Sequence, residues 1–424
     1  MTKFIALIDG NNFYASCEQM INPALSGKPV IVLSNNDGCI ISRSAEAREL
    51  NIKMGQPYFK IANTVDALGI NVCSSNYSLY GDMSNRLMSL IEERSEKIEV
   101  YSIDEAFVQI SHSNRNNLIY WAQELRAIVQ RNIGLTVAIG IGKNKVQAKI
   151  ANYLSKELET HAGIFNICME DRKDTWLERV DVEKIWGIGT SMSSWCRRKG
   201  INNAKQFRDM STNLLKAKYG VIGIRIQEEL RGNKCINLLT KQSSKKETCV
   251  SRSLKKPIIN KAQLKQVIAS HIILASAKLR KQKQLTGSIT IFARTSLYNP
   301  NFHSRSASKK LNVPCNNTNT LIKISLSLID EIYSENCRFT KTGVIMQKLQ
   351  GIDFIQLCLN NQNDIDNFRR QEVLMKTIDN LNMRYGKDTI KWCISFINKG
   401  SHVNHLNLSP AASTRFKEIG IARA

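Results

Sequence analysis

Asp9-Gly10 closes a short apolar run, Phe4-Ile-Ala-Leu-Ile8, and Asp104-Glu105 lies between two further strand-like runs, Ile98–Ser102 and Ala106–Ile110. Three carboxylates gathered at one point repel each other, so at neutral pH one takes up a proton or a cation joins them. Hard carboxylate oxygens with room for water and phosphate favour Mg2+ over zinc. Two such ions roughly 3.5–4 Å apart, bridged by aspartates, are a standard arrangement for in-line displacement at phosphorus. One ion then acidifies the attacking hydroxyl and the other neutralises the leaving pyrophosphate. Each acid taken alone fits an ordinary turn, the role assigned here to Asp37-Gly38; the three together, on abutting strand ends, favour a metal site.

The elements around these acids make their convergence plausible. Phe4–Ile8 reads as a buried strand, Tyr77–Arg94 as an amphipathic helix, and Ile98–Ile110 as a tight hairpin with Ile103-Asp104-Glu105 at its tip. Leu118–Val129 is helical, Thr136–Ile141 is a strand and Asn144–Leu154 is helical again. Strand, helix, hairpin, helix, strand is the order of a ferredoxin-like sheet, in which the first strand and the hairpin are neighbours. Val30–Leu33 and Cys39–Ser42 are two more strands, and Asp37-Gly38 between them predicts a hairpin turn. They belong to a small α/β unit, Val30–Lys60, inserted after the first strand. Beyond residue 170, Trp186-Gly-Ile-Gly189 sits between short helical runs, Leu177–Ile185 and Ser191–Lys199. Residues 237–250 are polar and Lys/Ser-rich, a linker composition, and 251–350 hold strand-like and helix-like segments of another domain. The last 65 residues are Asn-rich and weakly patterned.

At 424 residues the chain predicts two to four domains, and 42% hydrophobic with 23% charged residues is a globular balance. No apolar run approaches 18 residues and no basic-then-apolar segment opens the chain, so neither a membrane span nor a signal peptide is expected. Eleven cysteines, an odd number with no C-x-x-C pair, argue against a disulfide framework and a zinc ribbon. Net charge is +24, unevenly spread: residues 1–110 carry 9 basic and 13 acidic residues, whereas 241–310 carry 16 basic residues and one acid, Glu247. A polyanion-facing module joined to a mildly acidic one is the simplest account. Few aromatics interrupt the basic block, which suits phosphate contact better than base stacking.

Gly140-Ile-Gly142-Lys143 suggests a phosphate loop, but the glycine spacing is wrong and Asn144 stands where Ser or Thr is needed. Gly187-Ile-Gly189 is the better phosphate candidate, because glycines between two helices let backbone N–H groups approach a DNA phosphate.

Asp9-x-Asn11-x-Phe13-Tyr14-Ala-Ser-Cys-Glu18, Leu33-Ser-Asn-Asn-Asp-Gly38, Tyr101-Ser-Ile-Asp-Glu-Ala-Phe107 and Gly140-Ile-Gly-Lys-Asn-Lys-Val-Gln-Ala-Lys-Ile-Ala151 together resemble the Y-family translesion DNA polymerases. The likeness is strongest to the UmuC-type catalytic subunits of bacterial DNA polymerase V and their MucB- and RumB-like relatives. Ala293-Arg-Thr-Ser-Leu-Tyr298 and Ser304–Leu311 extend it over most of the chain; after residue 355 it is loose.

The resemblance implies a multidomain α+β right-hand polymerase. Its ferredoxin-like palm would be 1–18 and 79–170, small fingers 19–78, and a helical helix-hairpin-helix thumb 171–237. A linker, 238–250, would lead to an α/β little finger, 251–355, and a partner-binding, partly flexible C-terminal region, 356–424. By the same likeness Asp9, Asp104 and Glu105 hold two Mg2+ ions, with the Gly10 carbonyl as a further ligand. Tyr14 is a steric gate whose ring excludes a 2′-hydroxyl. Asn12, Phe13, Ser42, Arg48 and Lys156 bind the deoxynucleotide, and Gly187, Gly189, Lys245, Lys246, Arg252, Arg294 and Arg305 contact DNA. Gln356-Leu357-Cys358-Leu359 resembles a sliding-clamp motif, with Asn360 where an aromatic anchor belongs. Implied partners are primer-template DNA, a processed UmuD-type homodimer, a RecA filament and the clamp, in a cytoplasmic, DNA-associated enzyme of low-fidelity, SOS-type damage tolerance. The alternatives are a palm-type nucleotidyl cyclase, which would need no such basic block, and a non-catalytic DNA-binding scaffold, which would lose one of the three acids.

Overall fold

The computed structural model describes residues 2–112, 116–158, 162–169, 173–240, 244–297, 299–352, 362–386, 388–395, 406–410, 413–414 and 418. Strand β1 (Thr2–Gly10) runs through Asn11-Asn12 into helix α1 (Phe13–Ile21). There follow β2 (Val30–Leu33), β3 (Ile40–Arg43), α2 (Ala45–Glu49), α3 (Ala62–Ala67) and β4 (Asn71–Ser74). Next come α4 (Tyr77–Glu92), β5 (Lys97–Val100), β6 (Glu105–His112), α5 (Asn116–Ile133), β7 (Val137–Gly142), α6 (Lys145–Glu157) and β8 (Ile164–Asn166).

The first sheet has the order β5-β6-β1-β7-β8, the ferredoxin-like order with one parallel strand added at the β7 edge. With neighbours on both sides and helices on both faces, β1 buries Phe4 to Ile8 without alternation, as a central strand should. Phe4, Ala6 and Ile8 join the core beneath α1, α4 and α5, whereas Ile5 and Leu7 meet Phe107 and Ala148 on the α6 side.

The second sheet, β3-β2-β4, differs from expectation at its connection. Asn35–Asp37 forms a 3-10 turn with left-handed backbone at Asn36 (φ 61°) and Asp37 (φ 51°), whereas Gly38 is right-handed at φ −80°. The predicted Asp-Gly hairpin turn is therefore absent. Ser34 closes the loop instead: its carbonyl accepts the Asp37 N–H and its hydroxyl the Cys39 N–H. β4 pairs in parallel with β2; its polar ends, Asn71 and Ser74, leave only Val72 and Cys73 as an apolar signal, too little to mark a strand.

Helices α7 (Lys173–Arg179), α8 (Thr190–Arg198), α9 (Ala204–Asp209) and α10 (Thr212–Arg231) build a second core against one face of α6 and the β8 segment, with α10 broken at Gly220. The expected helical run Leu177–Ile185 is in fact the end of α7 plus a 3-10 turn at Val182–Lys184 capped by Asp181. Residues 404–424 belong to the same compact unit as 1–242.

Residues 243–403 form a second unit. It contains β9 (Thr248–Ile258), α11 (Lys261–Lys281), β10 (Gln284–Arg294), β11 (Ser304–Cys315), α12 (Thr318–Ser327), α13 (Ile329–Ile332), β12 (Phe339–Gly351) and α14 (Gln362–Tyr385). Its antiparallel sheet, β11-β10-β12-β9, packs α11, α12 and α13 against one face. A fork from Arg280 to Asp379, at 2.6 and 2.8 Å, ties α14 to α11, and Met375 is buried. Among the described residues no helix is long and apolar enough to cross a membrane.

Candidate active site

The β1–β6 register sets Asp9 directly opposite Glu105, so both side chains leave the sheet on the same face. Asp104 is next to it at the hairpin tip, and the Gly10 N–H donates to the Asp104 carbonyl at 2.9 Å. A side chain at Gly10 would press its Cβ to 3.1 Å from the Phe13 ring and 3.5 Å from the Asp104 Cβ. The contact with the hairpin would be an ordinary one; the Phe13 ring is what crowds a side chain at this position.

Above the acids lies α6. Lys145, Lys149 and Lys156 recur at intervals of four and seven, one stripe of an α-helix. Each meets an acid on a successive strand. Lys145 pairs with Glu99 of β5 at 2.5 Å, Lys149 with Glu105 of β6 at 2.6 Å, and Lys156 with Asp9 of β1 at 2.7 Å. Two glycines bring the helix within range. A Cβ at Gly140 would lie 2.0 Å from the Asn152 nitrogen, and one at Gly142 2.7 Å from the Ala148 nitrogen. Gly140-x-Gly142 is thus a helix-docking surface, and this explains a glycine pair that failed as a phosphate loop.

The described residues hold no cluster of three His, Cys, Asp or Glu side chains arranged around a common point. Their negative charge is met pair by pair by ammonium groups, while Asp104 accepts a hydrogen bond from the Ser102 hydroxyl at 2.6 Å. Burial pushes the Asp9 carboxyl up to about 6, against the pull of Lys156 and with the help of Glu105 opposite. Asp9 and Glu105, facing each other with Lys156 and Lys149 as their present counter-charges, are oxygen donors of the type a hard divalent cation takes.

Asn12 has left-handed backbone (φ 49°) at the head of α1, and Phe13 is buried. Only its backbone, at the helix start where N–H groups lack intrahelical acceptors, is placed to meet a phosphate. Tyr14 is half-buried, stacked on Tyr80 at 4.5 Å and edge-on to Tyr77 at 6.2 Å. The Ser42 hydroxyl accepts the Ala15 N–H and donates to the Asn12 carbonyl, both at 3.2 Å, so it staples β3 to α1. Arg48 is exposed on α2. Beside it Arg43 is held low by burial and by the like charge of Arg48. Sequence reading passed over Arg43, as it did Lys145 and Lys149; the four-and-seven lysine spacing was the available signal, but the helix face could not be chosen without the glycine contact.

Trp186 precedes Gly187, whose φ of 90° and 2.8 Å approach to Ile226 would strain any side chain. The Trp186 indole N–H donates to the Tyr101 hydroxyl at 3.0 Å and so joins this turn to the β5–β6 hairpin. Gly189 caps α8. In the second unit Lys245 and Lys246 are exposed ahead of β9. Arg294 lies across from Lys341 on β12, on the sheet face away from the helices, among Ser253, Ser304, Ser306 and Thr290. By register Arg252, midway along β9, and Arg305, near the start of β11, have the opposite parity, so the three arginines do not share one surface. Gln356, Leu357 and Leu359 fall outside the described residues.

Residues 8–153 match the impB/mucB/samB family, 245–359 its C-terminal domain, and 372–422 a domain of unknown function, DUF4113. Protein UmuC of Salmonella typhimurium is 34% identical over 98% of this chain and 99% of its own length. Protein MucB of Escherichia coli is 31% identical over the same shares. A DNA polymerase IV of Bacillus velezensis is 24% identical over 92% of both chains. Among solved structures, the Y-family DNA polymerase chimera Dbh-Dpo4(243-245)-Dbh aligns with a TM-score of 0.66 at 20% identity, covering 82% of this chain and 99% of that one. An insertion ternary complex of Dbh DNA polymerase aligns at 0.52.

Proposed function

This chain belongs to the impB/mucB/samB family of UmuC-type Y-family DNA polymerases, and from that membership we propose that Asp9, Asp104 and Glu105 are its catalytic carboxylates. It is a DNA-directed DNA polymerase of translesion synthesis, acting on primer-template DNA and deoxynucleotides in the response to DNA damage. The nucleotidyl cyclase and scaffold alternatives find no support in these matches.

Family membership implies a divalent-metal cofactor; we assign it as two Mg2+ ions held by Asp9, Asp104, Glu105 and the Gly10 carbonyl. Bound there, the ions supply charge stabilisation at the reacting phosphorus and acidify the primer 3′-hydroxyl. The observation that carries the assignment is the register pairing of Asp9 with Glu105 beside Asp104. The chain's own groups do the positioning. Backbone N–H groups of Asn12 and Phe13, with Arg48 and the adjacent Arg43, bind the triphosphate. Lys156 exchanges Asp9 for phosphate oxygens, a point charge on a flexible stem. Ser42 locks the strand to the helix that presents those N–H groups. Primer extension with Mg2+ and dNTPs by wild type and by Asp104→Ala with Glu105→Ala tests the reading.

Domain by domain, 1–18 with 79–170 would be palm, 19–78 fingers, 171–237 thumb, 238–250 linker, 251–355 little finger and 356–424 a partner-binding region, although 248–250 already pair in β9, α14 packs on α11, and 404–424 belongs to the first unit. Gly187, Gly189, Lys245, Lys246, Arg252, Arg294 and Arg305 remain the proposed DNA contacts. Of the sheet residues, Arg294 is half-buried on the helix-free, Ser/Thr-rich face, whereas Arg252 and Arg305 are exposed, so a phosphate backbone could approach any of the three. A processed UmuD-type homodimer, a RecA filament, a sliding clamp, an SOS role and a cytoplasmic setting are proposed from the family alone.

Tyr14 is proposed as the sugar gate. Tyr14→Ala is expected to raise ribonucleotide incorporation relative to deoxynucleotide by about 10²-fold or more in single-nucleotide extension, since about 3 kcal/mol of steric clash is lost. Unchanged sugar selection removes the role.

Asp9 sets the pH response. Its carboxyl rises from 3.8 to about 6 on folding. Without metal, this group therefore favours the folded state fully below pH about 4, and that contribution is lost as pH rises through 6. Metal binding runs the other way, because the proton competes. Mn2+ affinity, measured by titration calorimetry, is expected to be flat above pH 6 and to fall about tenfold per unit below it. A constant affinity down to pH 5 counts against Asp9 as a ligand.

A further inference from the structure

The chain returns late to the three-stranded sheet. Leu406–Pro410 lies beside the free edge of β4, where the Ser74 N–H donates to the Asn407 carbonyl at 2.8 Å and the Asn407 N–H to the Ser74 hydroxyl at 3.1 Å. The Leu406 N–H donates to the Asp37 carboxylate at 3.0 Å. Leu406 and Leu408 are more than half exposed, so hydrogen bonds rather than apolar burial hold the segment. Asn76 is the junction. Its side-chain oxygen accepts the Leu79 N–H and caps α4, while its amide donates to the Ser409 carbonyl and hydroxyl at 3.1 and 3.0 Å.

That same first turn of α4 carries Tyr77 and Tyr80, the two rings packed on Tyr14. Tyr80 is fully buried, and its hydroxyl donates to the Glu18 carboxylate at 2.6 Å; Glu18, on α1 one turn beyond Tyr14, is 1% exposed. Burial pushes the Glu18 carboxyl up, and hydrogen bonds with Tyr80 and Ser409 oppose that push. Ser409, Asn76 and Glu18, then Tyr80, then Tyr14 form a continuous set of contacts from the C-terminal segment to the ring beneath the sugar.

We propose that Leu406–Pro410 is the outer buttress of the sugar gate, fixing the Asn76-capped turn of α4 so that Tyr80 holds the Tyr14 ring in its excluding position. The proposal rests on the reading of Tyr14 as the gate. Ser409 and Tyr80 are positioning residues: neither touches the nucleotide, and each acts through Tyr14. A gate works by clearance, so a supporting ring displaced by a fraction of an ångström relaxes it. A polar strap can be strengthened or withdrawn without disturbing a core, which makes this segment a place where strictness is set.

The test uses the full chain in single-nucleotide extension, read as the ratio of ribonucleotide to deoxynucleotide kcat/KM. Asn407→Pro with Ser409→Ala removes a strand donor and the hydroxyl; Tyr80→Phe keeps the ring and removes its anchor. Both are expected to raise the ratio about tenfold, and Ser409→Thr, which retains a hydroxyl, to keep it at the wild-type value. Thermal midpoints measured alongside show that every variant is folded. A wild-type ratio in both altered proteins, with selection lost in Tyr14→Ala, overturns the buttress and leaves the gate standing. No effect of Tyr14→Ala itself strikes down the gate and the buttress with it.

Discussion

Replacing Asp104 and Glu105 together by Ala is expected to abolish primer extension, a fall of at least about 10³-fold in rate or roughly 4 kcal/mol of transition-state stabilisation. The substitutions remove two of three carboxylates at a point where the geometry offers no replacement. Ser102 loses the acceptor it holds at 2.6 Å, and Lys149 loses its acid. The fold should survive. Lys149 is part-exposed and lies 5.2 Å from the Tyr101 ring centre, and the hairpin keeps its backbone bonds from Gly10 and to β1. Unaltered DNA retention in a gel-shift assay and an unaltered thermal midpoint separate lost chemistry from lost structure. Equal extension by the double variant and the wild type would end the catalytic assignment.

The second large effect is on stability. Lys145 is 2% exposed, with its ammonium 2.5 Å from Glu99 and the ring faces of Phe107 and Trp186 at 5.2 and 6.0 Å. Glu99 also accepts the Leu239 N–H at 2.6 Å. Glu99→Ala leaves the ammonium buried against aromatic faces alone, at a cost of about 3–5 kcal/mol. For a unit of this size the thermal midpoint should drop by on the order of 10 °C. Removing both charges, as Glu99→Leu with Lys145→Met, should recover most of it, because a shape-matched apolar pair no longer carries a desolvated ion. A single variant melting with the wild type would show that water reaches the site and that the pair contributes little.

What could be read from the sequence was whatever is encoded locally. Short apolar strands ended by Asp-Gly and by a three-residue hairpin tip fix where Asp9, Asp104 and Glu105 fall along the chain, and the order of elements then dictates which strands are neighbours. The β1–β6 pairing followed from those two facts. The lysines of α6 were visible as a spacing, yet their partners lie on three different strands, and only the glycine contact with β7 selects the face they share. Gly38 misled because Asp-Gly usually marks a left-handed turn; here Asn36 and Asp37 adopt that backbone, and Ser34 supplies the closure. Nothing near Ser409 hints at β4, since an exposed Leu-Asn-Leu-Ser stretch matches any free strand edge. Arg252, Arg294 and Arg305 looked equivalent in the basic block, and strand parity separates them.

The lysine row over the sheet has a consequence for how the enzyme is made ready. A centre built from acids alone would be self-repelling in the newly synthesised chain and would depend on ambient ions to close. Here the protein brings its own internal salt, so the reactive end of the sheet can assemble electrically balanced in a metal-poor surrounding. On the metal assignment proposed above, a cation at Asp9 would replace Lys156 as its charge partner, and the released ammonium would then be free to meet a triphosphate.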